Sequence, residues 1–157
     1  MNVIIIGCGR VGAFLAGLLD KGGHSVTIVD VERAAFGRLP AEFKGATLLG
    51  SGTDLDVLRL AGIEKADAFL SLTQGDNRNL MAAQVAKEIF GVKQVLAKVN
   101  DPIRAHTYRA HGIYTWSRTT ILGTLLHAIL FGNDEIGPKL MAETMKHEQD
   151  LAGELGV

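Results

Sequence analysis

A chain of 157 residues that is 47% hydrophobic has enough apolar material for one compact domain with a real core. Its 16 Lys and Arg against 17 Asp and Glu leave a formal charge of -1, which offers no electrostatic footprint for nucleic acid. The single cysteine, Cys8, excludes an internal disulfide, and the longest apolar stretch, ILGTLLHAILFG near residues 121 to 132, falls short of the roughly 20 residues that a membrane span needs.

These limits point to a soluble protein in a reducing, cytosolic setting. Met1 and Asn2 lead straight into an apolar run, without a basic start or a small-residue cleavage site, so no secretory leader is expected. NVIIIG opens the chain as a strand of continuous apolar residues, the pattern of a strand buried on both faces of a parallel sheet. RVGAFLAGLLDKG follows as a helix with a glycine stop, and HSVTIVD as the second strand. ERAAFGRLPAEF reads as a crossover helix, GATLLG as strand three and TDLDVLRLAGI as the next helix. DAFLSL, NRNLMAAQVAKEIFG, KQVLAKV, PIRAHTYRAHG and IYTW continue the alternation through strands four, five and six. The whole predicts an α/β, Rossmann-type doubly wound parallel sheet in the order 3-2-1-4-5-6.

TTILGTLLHAILFG then reads as a helix apolar nearly all round, which needs a surface to cover it: its own sheet, or a partner. Beyond Gly132 the pattern turns polar and lacks a strand. The expected organisation is a nucleotide-binding domain over residues 1–132, including that helix, and a helical tail or start of a linker over 133–157, too short for a second domain.

The chemistry begins at the first turn. Gly7, Gly9 and Gly12 make GxGxxG directly after a strand and at the start of a helix, the context in which this short pattern carries weight. The first glycine allows the tight turn, the second the approach of a pyrophosphate, and the third close packing of helix on strand. The helix N-terminus offers free amides and the positive end of its dipole to phosphate. Asp30 lies 18 residues after Gly12 at the end of strand two, where a carboxylate accepts both ribose hydroxyls and repels a 2′-phosphate. NAD or an adenine nucleotide is therefore favoured over NADP. GSGTD and TQGDNRN follow strands three and four at the sheet's carboxyl edge, so Ser51 and Thr73 are placed to meet ligand. Thr53, Asp54, Asp76 and Asn77 read either as ligand contacts or as caps of the helices that follow. Lys98 ends strand five, facing a phosphate or simply solvated.

At these residues the chain resembles the nucleotide-binding domain of the RCK family, also called KTN or TrkA-N, the regulators of potassium conductance and uptake. The matching segments are IIIGCGRVGAFLAGLLDKGGHSVTIVD, GTDLDVLRLAGIEKADAFLSLTQGDNRNLMAAQVAKEIFG and VLAKVNDP, together covering roughly residues 2 to 117. Generic dehydrogenases share the glycines but not the AGI…ADAFLSLT…DN..N sequence. The resemblance implies a cytosolic subunit, peripheral to the inner face of the cell membrane, that binds NAD(H) or ATP/ADP without turning it over. It also implies a membrane potassium transporter or channel as partner, and a homodimer, extending to octameric rings, made as the apolar helix crosses to a second subunit.

Carried over residue by residue, the resemblance sets Gly7, Gly9, Arg10, Val11 and Gly12 against the phosphates. Asp30 takes the ribose, with Val31 and Arg33 beside it. Gly52 and Thr53 flank the adenine, and Leu72 and Thr73 close the other side. The family often has an acidic residue where Ser51 stands and an arginine where Lys98 stands, so those contacts are altered here. Arg109 and Tyr114 occupy places where carboxylates are common, and no metal site is expected. Two other functions remain open at this stage: an NAD-dependent oxidoreductase, and a nucleotide sensor of another cation or efflux system. The first lacks the acid or base that hydride chemistry needs, since the five histidines are scattered. The second shares every residue argued above.

Overall fold

The computed structural model describes residues 1–131. They fall into two units, Met1–Ser117 and a second that begins at Arg118. The first is a six-stranded, all-parallel sheet in the order β3-β2-β1-β4-β5-β6, as the sequence predicts. Its strands are β1 (Asn2–Ile6), β2 (Ser25–Asp30), β3 (Ala46–Leu49), β4 (Ala68–Ser71), β5 (Gln94–Lys98) and β6 (Tyr114–Trp116).

Period-two alternation explains why the strands read as unbroken apolar runs. On β1, Ile4 and Ile6 join one cluster, with Leu58, Phe69, Leu80 and Ile113, whereas Val3 and Ile5 join another, with Ala13, Ala16, Val26 and Ile28. The inner strands β1 and β4 are buried on both faces, so an unpaired polar side chain there is costly, whereas the edge strand β3 is mostly exposed. Ile5, Ile28, Leu58 and Phe69 are fully buried, each contributing about 1.5–3 kcal/mol.

Four α-helices complete this unit: α1 (Arg10–Lys21), α2 (Leu55–Leu60), α3 (Asp76–Gln84), which runs on into a π-turn at Val85–Ile89, and α4 (Pro102–Ala110). The segment read as a helix over ERAAFGRLPAEF is a correction: only a 3-10 turn forms, Arg33–Arg38. Pro40 forces the residue before it out of helical space, and Leu39 is extended at φ -68° and ψ 147°.

The second unit contributes α5 (Arg118–Phe131), none of whose residues is buried. The tail expected over 133–157 lies outside the described residues. Among the described residues, no helix is long and apolar enough to cross a membrane.

Candidate functional site

The sheet's strand order reverses between β1 and β4, and open α/β sheets bind ligands outside the carboxyl ends of the strands at such a point. A cleft of about 480 Å³ lies there, within the usual range for a small-molecule site. It is bounded by the turn after β1, the end of β2, the turn after β3 and the turn after β4.

The glycine loop forms its floor. Gly7 sits at φ +102°, and a Cβ there would stand 3.2 Å from the backbone of Leu72 and Thr73, so the turn tolerates no side chain. Gly12 serves packing instead: its Cβ would fall 2.0 Å from the Gly7 carbonyl oxygen. Between them Gly9 is the N-cap of α1 and offers no side-chain cap, and the first turn of α1 holds no acidic residue. The positive end of the α1 dipole thus has no side-chain cap and no first-turn carboxylate. By contrast α2 is closed by its own chain, since the Asp54 carboxylate accepts from the amides of Asp56 at 2.9 Å and Val57 at 3.3 Å.

Asp30 is tied to the loop as well as to the cleft. Its Oδ2 accepts from the Cys8 amide at 2.6 Å and its Oδ1 from the Glu32 amide at 2.9 Å. A carboxylate has about four acceptor sites, so two are left for the hydroxyls of a ribose. Cys8 beneath it is fully buried, and burial pushes its thiol up to about 11, with the Asp30 charge adding to the rise and Arg38 opposing it. At neutral pH it is a protonated packing group, not a nucleophile.

The wall after β4 is built differently. Asn79 is fully buried on α3. Its Oδ1 accepts from the Thr73 amide at 2.8 Å and the Thr73 hydroxyl at 2.7 Å, and its Nδ2 donates to the carbonyls of Thr73 at 3.0 Å and Lys98 at 2.9 Å. One amide side chain thus fixes the turn that closes the cleft and fastens it to the end of β5.

Of the residues predicted for the site, Gly7, Gly9, Arg10, Asp30, Val31, Ser51, Gly52, Leu72 and Thr73 line this one cleft. Val11, Gly12, Arg33, Thr53 and Lys98 do not. Val11 lies one position along α1 and is exposed, Arg33 is exposed on the 3-10 turn, and the Thr53 hydroxyl is bonded to that of Ser51 at 2.8 Å. Asp54 caps its helix, whereas Asp76 takes the amides of Asn100 at 2.9 Å and Asp101 at 3.0 Å. Asn77 lies within α3 and accepts from Arg104.

Sequence reasoning missed Glu32, Arg38, Gln74 and Arg78, all of which line the cleft. Arg38 closes the 3-10 turn that forms in place of the expected helix, so its position in the cleft follows from that turn and not from its spacing in the sequence. Arg78 occupies the first turn of the helix after β4, whose start alone decides which of its residues face the ligand. Among the described residues, no group of three or more His, Cys, Asp and Glu side chains is close enough to hold a metal.

The family model described as the TrkA-N domain matches residues 3–117. The Trk system potassium uptake protein TrkA of Streptomyces coelicolor is 45% identical over 131 residues, covering 80% of this chain and 59% of that protein. The chain therefore spans little more than half the length of that relative. In fold it is similar to the TrkA-N domain of the inner membrane protein ybaL from Escherichia coli, at a TM-score of 0.73 and 15% identity over 82% of this chain and 96% of that one. It is similar also to GsuK bound to ADP, with a TM-score of 0.68 and 22% identity over 85% of this chain and 34% of that one. The GsuK channel bound to NAD aligns at 0.58 and 18%, over 71% and 20%.

Proposed function

This chain belongs to the TrkA-N domain family, and on that premise we propose that it is the nucleotide-binding regulatory part of a potassium uptake system or K⁺ channel of the Trk/Ktr type. It binds NAD(H) or ATP/ADP, turns none of them over, and gates a membrane partner by changing conformation. The observation that carries this reading is the cleft: a helix N-terminus without a side-chain cap lies beside a carboxylate that holds the loop and keeps acceptor sites to spare. The names of the similar proteins support it, one a potassium uptake protein and another a channel bound to ADP and to NAD.

A ligand moves a two-state assembly only by its differential affinity for the two states. The assembly proposed is a homodimer, able to extend to an octameric ring. Ile121, Leu122, Leu126, Leu130 and Phe131 of α5 are exposed, and so apolar a helix is expected to bury them against a partner surface, here a second copy of the chain. On this reading the protein works in the cytoplasm, held at the inner face of the membrane through its partner.

Calorimetric titration with ATP, ADP, NAD⁺, NADH and NADPH, with the mass in solution recorded alongside, tests this directly. Micromolar binding of one or more of the first four, weaker binding of NADPH and a dimeric mass are expected. Binding of none of them overturns the nucleotide reading, and a monomeric mass overturns the dimer.

A further inference from the structure

The cleft is lined by two carboxylates and three arginines. Asp30, Glu32 and Arg38 stand at and just after the end of β2 and Arg10 opens α1, while Arg78 stands on the other side of the switch point in the first turn of α3. The charged neighbours of Arg78 are already engaged. Arg104 is paired with Asp101 at 3.4 Å and bonded to Asn77, and Asp76 accepts from the amides of Asn100 and Asp101. Arg78 itself is exposed, forms no ion pair among the described residues, and lines the same cleft as Arg10. A permanent positive charge that lines a ligand cleft and makes no ion pair there favours a ligand carrying negative charge at that place.

We infer that Arg78 is a specificity-determining residue of the cleft, selecting nucleotides that carry a terminal phosphate into its β4 side over those that carry nicotinamide there. The inference rests on the nucleotide-binding reading above and narrows it. With the ribose at Asp30 and the first phosphate at the glycine loop, the rest of the ligand extends toward Thr73, Gln74 and Arg78. ADP and ATP end there in phosphate with its full charge. In NAD⁺ the second phosphate is esterified and the molecule continues to a cationic pyridinium ring, while in NADH that ring is neutral. The guanidinium attracts the first kind of ending, repels the second and is indifferent to the third. AMP has no such ending to be read.

The test is titration of native protein, Arg78→Gln and Arg78→Lys with ATP, ADP, AMP, NAD⁺ and NADH. Arg78 is exposed, so the variants should keep the native unfolding midpoint, which is measured first. Arg78→Gln should weaken ATP and ADP about tenfold, the scale of one hydrogen bond to a charged group, and change AMP by less than about twofold. NAD⁺ should bind as before or tighter, and Arg78→Lys should recover part of the loss. Equal losses for AMP and ATP, or an ATP affinity that does not move, overturn the role of Arg78 while nucleotide binding stands. If native protein binds none of the five, the nucleotide reading fails and this inference fails with it.

Discussion

The two walls of the cleft are held in opposite ways. At the end of β2 the side chain proposed to meet the ligand is the one that holds the wall, since Asp30 both lines the cleft and takes the amides of Cys8 and Glu32. After β4 the tasks are separated: Asn79 holds the turn from behind, fully buried, while Arg78 stands in front without an ion pair among the described residues. Mutation on the first wall must therefore disturb binding and fold together, whereas on the second it can disturb one and leave the other. A wall of the first kind suits a contact common to every ligand. A wall of the second kind can vary its cleft-facing side chain at little cost in stability, and so suits the contact that discriminates.

The largest effect tests the hidden half of the second wall. Asn79→Leu should destabilise the fold by about 3 kcal/mol in urea unfolding, because it leaves the Thr73 amide and the carbonyls of Thr73 and Lys98 without their partner. A loss below about 1 kcal/mol would mean that water replaces the amide, and the clamp would no longer distinguish the walls. Next in size is Gly12→Ala, which drives a methyl against the Gly7 carbonyl and should cost about 2 kcal/mol by overpacking, with weaker binding as the loop shifts.

Most of the first wall was legible in the sequence and most of the second was not. The glycines and Asp30 are read from a spacing that a strand, a turn and a helix dipole impose together, and backbone geometry leaves few alternatives. The inner strands were equally plain, because burial of both faces writes an uninterrupted apolar run. Arg78, Gln74 and Glu32 are polar residues in polar stretches, and which of them faces ligand depends on where α3 or the turn after β2 begins. Asn79 appeared as one letter of a family pattern, yet its four hydrogen bonds reach across two strand ends that only the folded sheet brings together. The helix expected over residues 32–43 failed for a local reason, Pro40, that was also in the letters.

Asp30→Asn sharpens the contrast at intermediate size. An amide in place of the carboxylate keeps one acceptor oxygen and turns a donor toward the Cys8 or the Glu32 amide, so about 1–2 kcal/mol of stability should be lost. All ribose-bearing ligands should weaken together, AMP included. Selective loss of ATP and ADP alone, with stability unchanged, would make the two walls alike and remove the comparison.

The smallest effect lies beneath the first wall, in the pH dependence of stability. Cys8 is buried against the Asp30 charge, and its pKa rises from an ordinary 9.0 to about 11 in the folded chain. A thiol is neutral when protonated, so a raised folded pKa means that the native state keeps the proton after the unfolded state has released it. The stability this contributes is complete below pH 9 and is lost as pH rises from about 9 through about 11. Lysines and tyrosines titrate in the same window, so the measurement is a difference. Unfolding free energies of native protein and Cys8→Ala, followed from pH 8 to pH 11, should converge as pH rises, and the native thiol should resist alkylation at pH 8. Parallel curves would mean that the thiolate is tolerated in the loop, and that the carboxylate above it is better screened than the geometry of the wall implies. Convergence would show that the loop holds Cys8 as a thiol, chiefly by burying it, with the Asp30 charge adding to the effect on the loop it supports.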